Sequence, residues 1–114
     1  MKKSEVFTRE LTKLREIFQD VDPSKAKLVE GLIEEAAFLM AENFVLRQVL
    51  AKTGMVKIHP QNFELQKPTE AGKQYLKNLN SYSVVIKTLN GILSKNAFGD
   101  DDEFEEFLRQ AREN

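Results

Sequence analysis

The sequence predicts a mainly α fold: a long antiparallel helical hairpin with a short first helix, a small β-hairpin between the long helices, and a short C-terminal helix. Three observations predict it. Tyr75, Leu79, Tyr82, Ile86, Leu89 and Leu93 recur at spacings of four and three residues, which on a helix makes the narrow apolar stripe that packs helices side by side, within one chain or between copies. Apolar residues crowd the stretch from Leu28 to Leu50 more densely than one helix face can hold. Between these two stretches, Gly54 and Pro68 bracket a segment whose apolar residues partly alternate.

The first helix is expected from about Ser4 to Gln19, with Val6 or Phe7, Leu11, Leu14 and Phe18 on one face. Asp22-Pro23 then reads as a helix start, because Asp22 can accept a backbone hydrogen bond as N-cap and proline suits the first helical position. The second helix covers roughly Ser24 to Lys52. Leu28, Leu32, Ala36, Leu39, Phe44, Leu46, Val49 and Leu50 supply its apolar positions, and Val29, Ile33, Ala37, Phe38, Met40 and Val45 widen the stripe. A helix this apolar needs cover from several sides, by its own chain or by a neighbouring subunit. Thr53-Gly54 supplies the stop, since glycine tolerates the left-handed conformation that ends helices.

Met55-Val56-Lys57-Ile58 and Phe63-Glu64-Leu65-Gln66 read as two short strands around a turn, His59-Pro60-Gln61-Asn62. Two such strands are marginal unless they pack on helices or join those of other copies. Pro68 ends the extended piece, Thr69 is a candidate N-cap, and the third helix runs from about Glu70 to Ser94. Ala97-Phe98-Gly99 is a linker, which divides a helical domain, 1–96, from an acidic amphipathic tail, 97–114. In the tail Phe104, Phe107, Leu108 and Ala111 share one helical face, with Asp100 to Asp102 at the start and Arg109 and Arg112 near the end, both favourable to the helix dipole. Either this segment folds back on its own domain, or it lays Phe104, Phe107 and Leu108 into a partner's groove.

At 114 residues the chain is one domain by length, and 41% hydrophobic with 31% charged residues describes a folded protein with a water-compatible surface. The absence of cysteine excludes disulfides and thiolate metal sites. No apolar run approaches the roughly 20 residues of a membrane span. Met1-Lys2-Lys3-Ser4-Glu5 has no apolar stretch behind it of the kind a secretory signal needs, so an intracellular protein is expected.

The charges are segregated. From Arg47 to Lys95 eight basic residues stand against Glu64 and Glu70, a net of +6. From Asp20 to Leu46 six acids stand against two lysines, and from Asp100 to Asn114 seven acids stand against two arginines, for nets of −4 and −5. The pattern describes either solvated faces that pair loosely across the fold, or a polyanion-binding surface on the basic middle beside a detachable acidic tail.

Catalytic chemistry is not expected, and neither is a cofactor. His59 is the sole histidine, so one chain cannot build a His-based zinc site or a histidine acid/base cluster. Glu30, Glu34 and Glu35 lie about one turn apart but read as a solvated face, and Asp100-Asp101-Asp102 lacks the spacing and glycine of a calcium loop. No phosphate-cradling or nucleophile-elbow motif occurs. No short recognition helix rich in Arg, Asn and Gln stands out either, so any nucleic acid would be held by lysines on phosphate, which position without reading sequence.

The run Leu28-Val29-Glu30-Gly31-Leu32-Ile33-Glu34-Glu35-Ala36-Ala37-Phe38-Leu39-Met40, the irregular segment led by Gly54, Lys67-Pro68 with Ala71 behind it, and a last helix bearing Tyr82, Ile86-Lys87, Leu89 and Leu93 together resemble the short, helical form of the bacteriophage terminase small subunit. The resemblance covers about residues 10 to 95. Such relatives commonly place a small residue before the proline and an alanine directly after it, where this chain has Lys67-Pro68-Thr69-Glu70-Ala71. The resemblance implies a non-enzymatic DNA-packaging factor in the cytoplasm of a bacterial host, which assembles as a ring, binds phage DNA and hands it to a large subunit that holds the ATPase and nuclease. On that reading 1–96 is the oligomerisation and DNA-binding domain. Lys52, Lys57, Lys67, Lys73, Lys77 and Lys87 are the candidate DNA contacts; Tyr75, Leu79, Tyr82, Ile86, Leu89 and Leu93 are the candidate oligomer seam, and Phe104, Phe107 and Leu108 the candidate contact to the large subunit. The other reading of the same features is a helical protein-interaction adaptor without DNA contact.

Overall fold

The computed structural model describes residues 1–97, and the tail helix expected from Phe104, Phe107 and Leu108 lies outside them. The elements are α1 (Lys3–Ile17), a single 3-10 turn (Pro23–Lys25), α2 (Ala26–Thr53), β1 (Val56–His59), β2 (Asn62–Pro68) and α3 (Glu70–Ala97). The architecture is the predicted one: mainly helical, with an antiparallel β-hairpin between two long helices and a shorter helix in front.

Both α1 and α3 pack on α2. Ion pairs from Lys3 to Glu42 and from Arg15 to Glu30 place the start of α1 beside the middle of α2 and its end beside the start of α2, so the two run antiparallel. On the other side, the Asn43 amide donates to the Tyr75 carbonyl at 3.3 Å, and Leu89 joins Val29 and Ile33 in the core, which sets α3 antiparallel to α2 as well. The apolar core sits where all three helices overlap: Leu14 and Phe18 from α1, Val29, Ile33 and Ala36 from α2, and Leu89 from α3.

The second helix, expected from Ser24, is preceded by a separate turn. Asp22 accepts from the Ser24 amide and hydroxyl, both at 3.0 Å, and Lys25, at φ −109° and ψ 1°, interrupts the helical backbone before α2 begins. The inward stripe of α2 is Val29, Ile33, Ala36, Ala37 and Ala41, whereas Leu28 and Phe38 remain 59% and 52% exposed. The alanines decide this, because helices approach closest over small side chains, and the bulkier residues are left on the outer side. The two strands fall where they are expected with shifted ends: β1 begins at Val56 and takes in His59, and β2 is extended at both ends. A two-residue turn, Pro60-Gln61, joins them, with His59 opposite Asn62 and an irregularity in register after Ile58.

Two glycine-dependent joints hold the hairpin to the helices. Gly54 ends α2 at φ +76°, where other residues are strained. Gly72, in the first turn of α3, approaches the chain so closely that a Cβ would lie 2.7 Å from the Met55 carbonyl oxygen. Between them Thr69 caps α3 as expected: its hydroxyl accepts from the Gly72 amide at 3.0 Å and donates to the Gly54 carbonyl at 2.9 Å.

Candidate nucleic-acid interface

The three-helix region ends near Asn43 and Tyr75; beyond it α2 and α3 continue as a pair and carry the β-hairpin. That end of the molecule is basic. From Phe44 to Asn78 six basic residues stand against Glu64 and Glu70, a net of +4, while residues 1–43 and 79–97 together carry nine of each sign.

Five of the six expected DNA-contacting lysines fall on this end. Lys52 is in the last turn of α2, Lys57 and Lys67 are on the strands, and Lys73 and Lys77 are in the first two turns of α3, all exposed. Lys57 and Lys67 are direct cross-strand partners, so their side chains share one face of the hairpin. Both line a cleft with Val49, Thr53, Thr69 and Glu70, where the hairpin meets the two helices. Lys73 lies 3.4 Å from Glu70, an exposed pair of small energetic worth. Among the described residues, Lys52, Lys57, Lys67 and Lys77 have no carboxylate within ion-pair distance, and like charges directly across a strand pair cost stability that a bound anion offsets. Lys87 stands apart from the cluster: ten residues beyond Lys77 on α3, it is about 15 Å further along the helix.

The six residues of the expected oligomer seam divide differently. Leu89 is wholly buried, and Tyr82, Ile86 and Leu93 pack against the core of their own chain. Tyr75 is half-buried and Leu79 is 41% exposed. Most of this stripe therefore faces α2 within the chain, and the outward apolar residues of α3 are Leu76, Leu79 and Val84.

One polar cluster escaped the sequence reading. Glu10, on the inner face of α1, is buried, accepts a 2.7 Å hydrogen bond from the Tyr82 hydroxyl and pairs with Lys13 at 2.9 Å. Burial, and then the Glu10 carboxylate, raise the pKa of the Tyr82 hydroxyl, so it stays a donor at any physiological pH. The spacing of Phe7, Glu10, Leu14 and Phe18 put Glu10 on the buried face; its partner lies 72 residues away, beyond any local pattern. The contact has the chemistry of a structural lock between α1 and α3.

Among the described residues there is no group of three or more metal-ligating side chains and no helix long and apolar enough to cross a membrane. No family model, no curated protein and no solved structure matches the chain.

Proposed function

We propose that this protein is a non-enzymatic phage DNA-packaging factor of the terminase small-subunit kind, which self-assembles, binds viral duplex DNA through its basic hairpin end and delivers it to the large terminase subunit. The observation that carries the reading is the segregation of Lys52, Lys57, Lys67 and Lys77, without carboxylate partners among the described residues, at one end of an elongated molecule whose remaining described part is electrically neutral. Each lysine offers one phosphate contact and none reads a base edge, so single-chain binding is weak and non-specific, and repetition in an assembly supplies affinity.

Self-assembly is supported by surface. Phe38, Leu79 and Val84 on the long helices and Phe63 on the hairpin are large apolar side chains left exposed, the kind of surface that a second copy can cover.

The adaptor reading, without DNA, draws on the same exposed apolar residues. Light scattering followed by a duplex-DNA mobility shift at low salt separates the two. The packaging reading expects an oligomer that shifts DNA, with affinity reduced by Lys73→Glu, Lys77→Glu; an oligomer that leaves DNA unshifted supports the adaptor, and a strict monomer at high concentration removes the ring.

A further inference from the structure

The hairpin end is also apolar. Ile58, Phe63 and Leu65 are 53%, 75% and 57% exposed, every residue of both strands is exposed, and both outer strand edges lack a backbone partner among the described residues. A surface that is apolar and carries a net of +4 calls for an occupant that is apolar and acidic. The chain contains such a segment. Residues 98–114 hold Phe98, Phe104, Phe107 and Leu108 among seven acids and two arginines, a net of −5.

Geometry decides which copy supplies it. α3 spans 28 residues, about 42 Å, and its Ala97 end lies opposite the hairpin. Fully extended chain covers at most ~3.6 Å per residue, so Phe104 reaches about 25 Å from Ala97 and Leu108 about 40 Å, both short of the strands. We propose that residues 98–114 of one copy dock on the hairpin end of a second copy, on the face that Lys57 and Lys67 share with Phe63 and Leu65, their acids against the two lysines and their phenylalanines against Phe63 and Leu65. The contact joins unlike surfaces and therefore links copies head to tail, the arrangement that closes into rings or continues as filaments. It uses the surface assigned above to DNA, so the tail and the duplex compete for it; the docking itself does not depend on that assignment.

A charge exchange in the full-length chain tests the contact, with sedimentation velocity reading association at low salt and circular dichroism checking helix content. The wild type is expected to associate. Lys57→Glu, Lys67→Glu in one variant and Asp101→Lys, Glu105→Lys in another should each weaken association on the order of tenfold or more, and an equimolar mixture of the two should recover it by pairing the reversed surfaces. If both variants associate as the wild type does, copies meet through the helix faces and the inference is overturned. Loss in both with no recovery in the mixture overturns it too, since the two sites then do not meet each other. The Asp101→Lys, Glu105→Lys variant retains its lysines, so a DNA shift that survives in it while association is unaffected rejects tail docking alone and leaves the packaging reading standing.

Discussion

Among the described residues, the Tyr82 hydroxyl and the Glu10 carboxylate form the one side-chain hydrogen bond that ties α1 directly to α3. Tyr82→Phe removes the donor and leaves a buried carboxylate oxygen short of a partner, so a loss of about 1–3 kcal/mol in urea unfolding is expected, with secondary structure unchanged. Asp22 makes a prediction in pH. Hydrogen bonds from the Ser24 amide, and then from its hydroxyl, hold this carboxyl below its ordinary value of 3.8. A depressed carboxyl contributes stability that is present above 3.8 and is lost as pH falls through the lower folded value. Wild type and Asp22→Ala should therefore differ in denaturation midpoint near neutrality and converge in acid, once the pH has fallen through the carboxyl's lowered folded value. A difference that persists unchanged in acid would assign the cap to something other than the ionised carboxylate.

The helices and the hairpin were legible in the chain because each is marked locally. Asp22-Pro23, Gly54 and Thr69 are punctuation whose chemistry acts within a few residues; Gly54 and Thr69 act at the helix ends where they are expected, whereas Asp22 caps the separate turn that precedes α2. Which face of α2 turns inward was not legible, because Leu28 and Phe38 are as apolar as Val29 and Ile33, and only the close approach over Ala36, Ala37 and Ala41 decides between them. The seam of α3 shows the same limit: a stripe at spacings of four and three announces a helical neighbour without saying whether that neighbour is in the same chain. Ile86 and Leu79 separate the two cases. Ile86→Glu puts a charge against the intrachain core and should cost about 2–4 kcal/mol of folding stability, whereas Leu79→Glu, on the more exposed flank, should leave stability within ~0.5 kcal/mol and reduce self-association. Chemical denaturation beside light scattering reads both effects. Equal loss of stability in the two variants would place Leu79 in the intrachain core as well.

At the scale of the whole molecule, charge and shape act together. The radius of gyration is 20.3 Å, against about 13 Å for a compact chain of this length, and the basic hairpin pairs chiefly with itself, carried on the ends of α2 and α3 beyond the three-helix core. The net charge of −1 conceals this, and only the order of charges along the chain made the basic region visible before the fold was known. That Lys57 and Lys67 face each other across the strands while Lys87 stands apart follows from strand register and helix length.

On the proposed function, duplex DNA binds this end through several lysines at once. The most direct test is the affinity for a short duplex, measured by fluorescence anisotropy over a salt series, for the wild type and for Lys57→Glu, Lys67→Glu. The wild-type log affinity is expected to fall steeply and linearly with log salt as phosphate counterions are released, and the variant to bind at least tenfold more weakly at low salt with a shallower slope. Equal affinity and equal slope for the two proteins, or no wild-type binding at low salt, would contradict it.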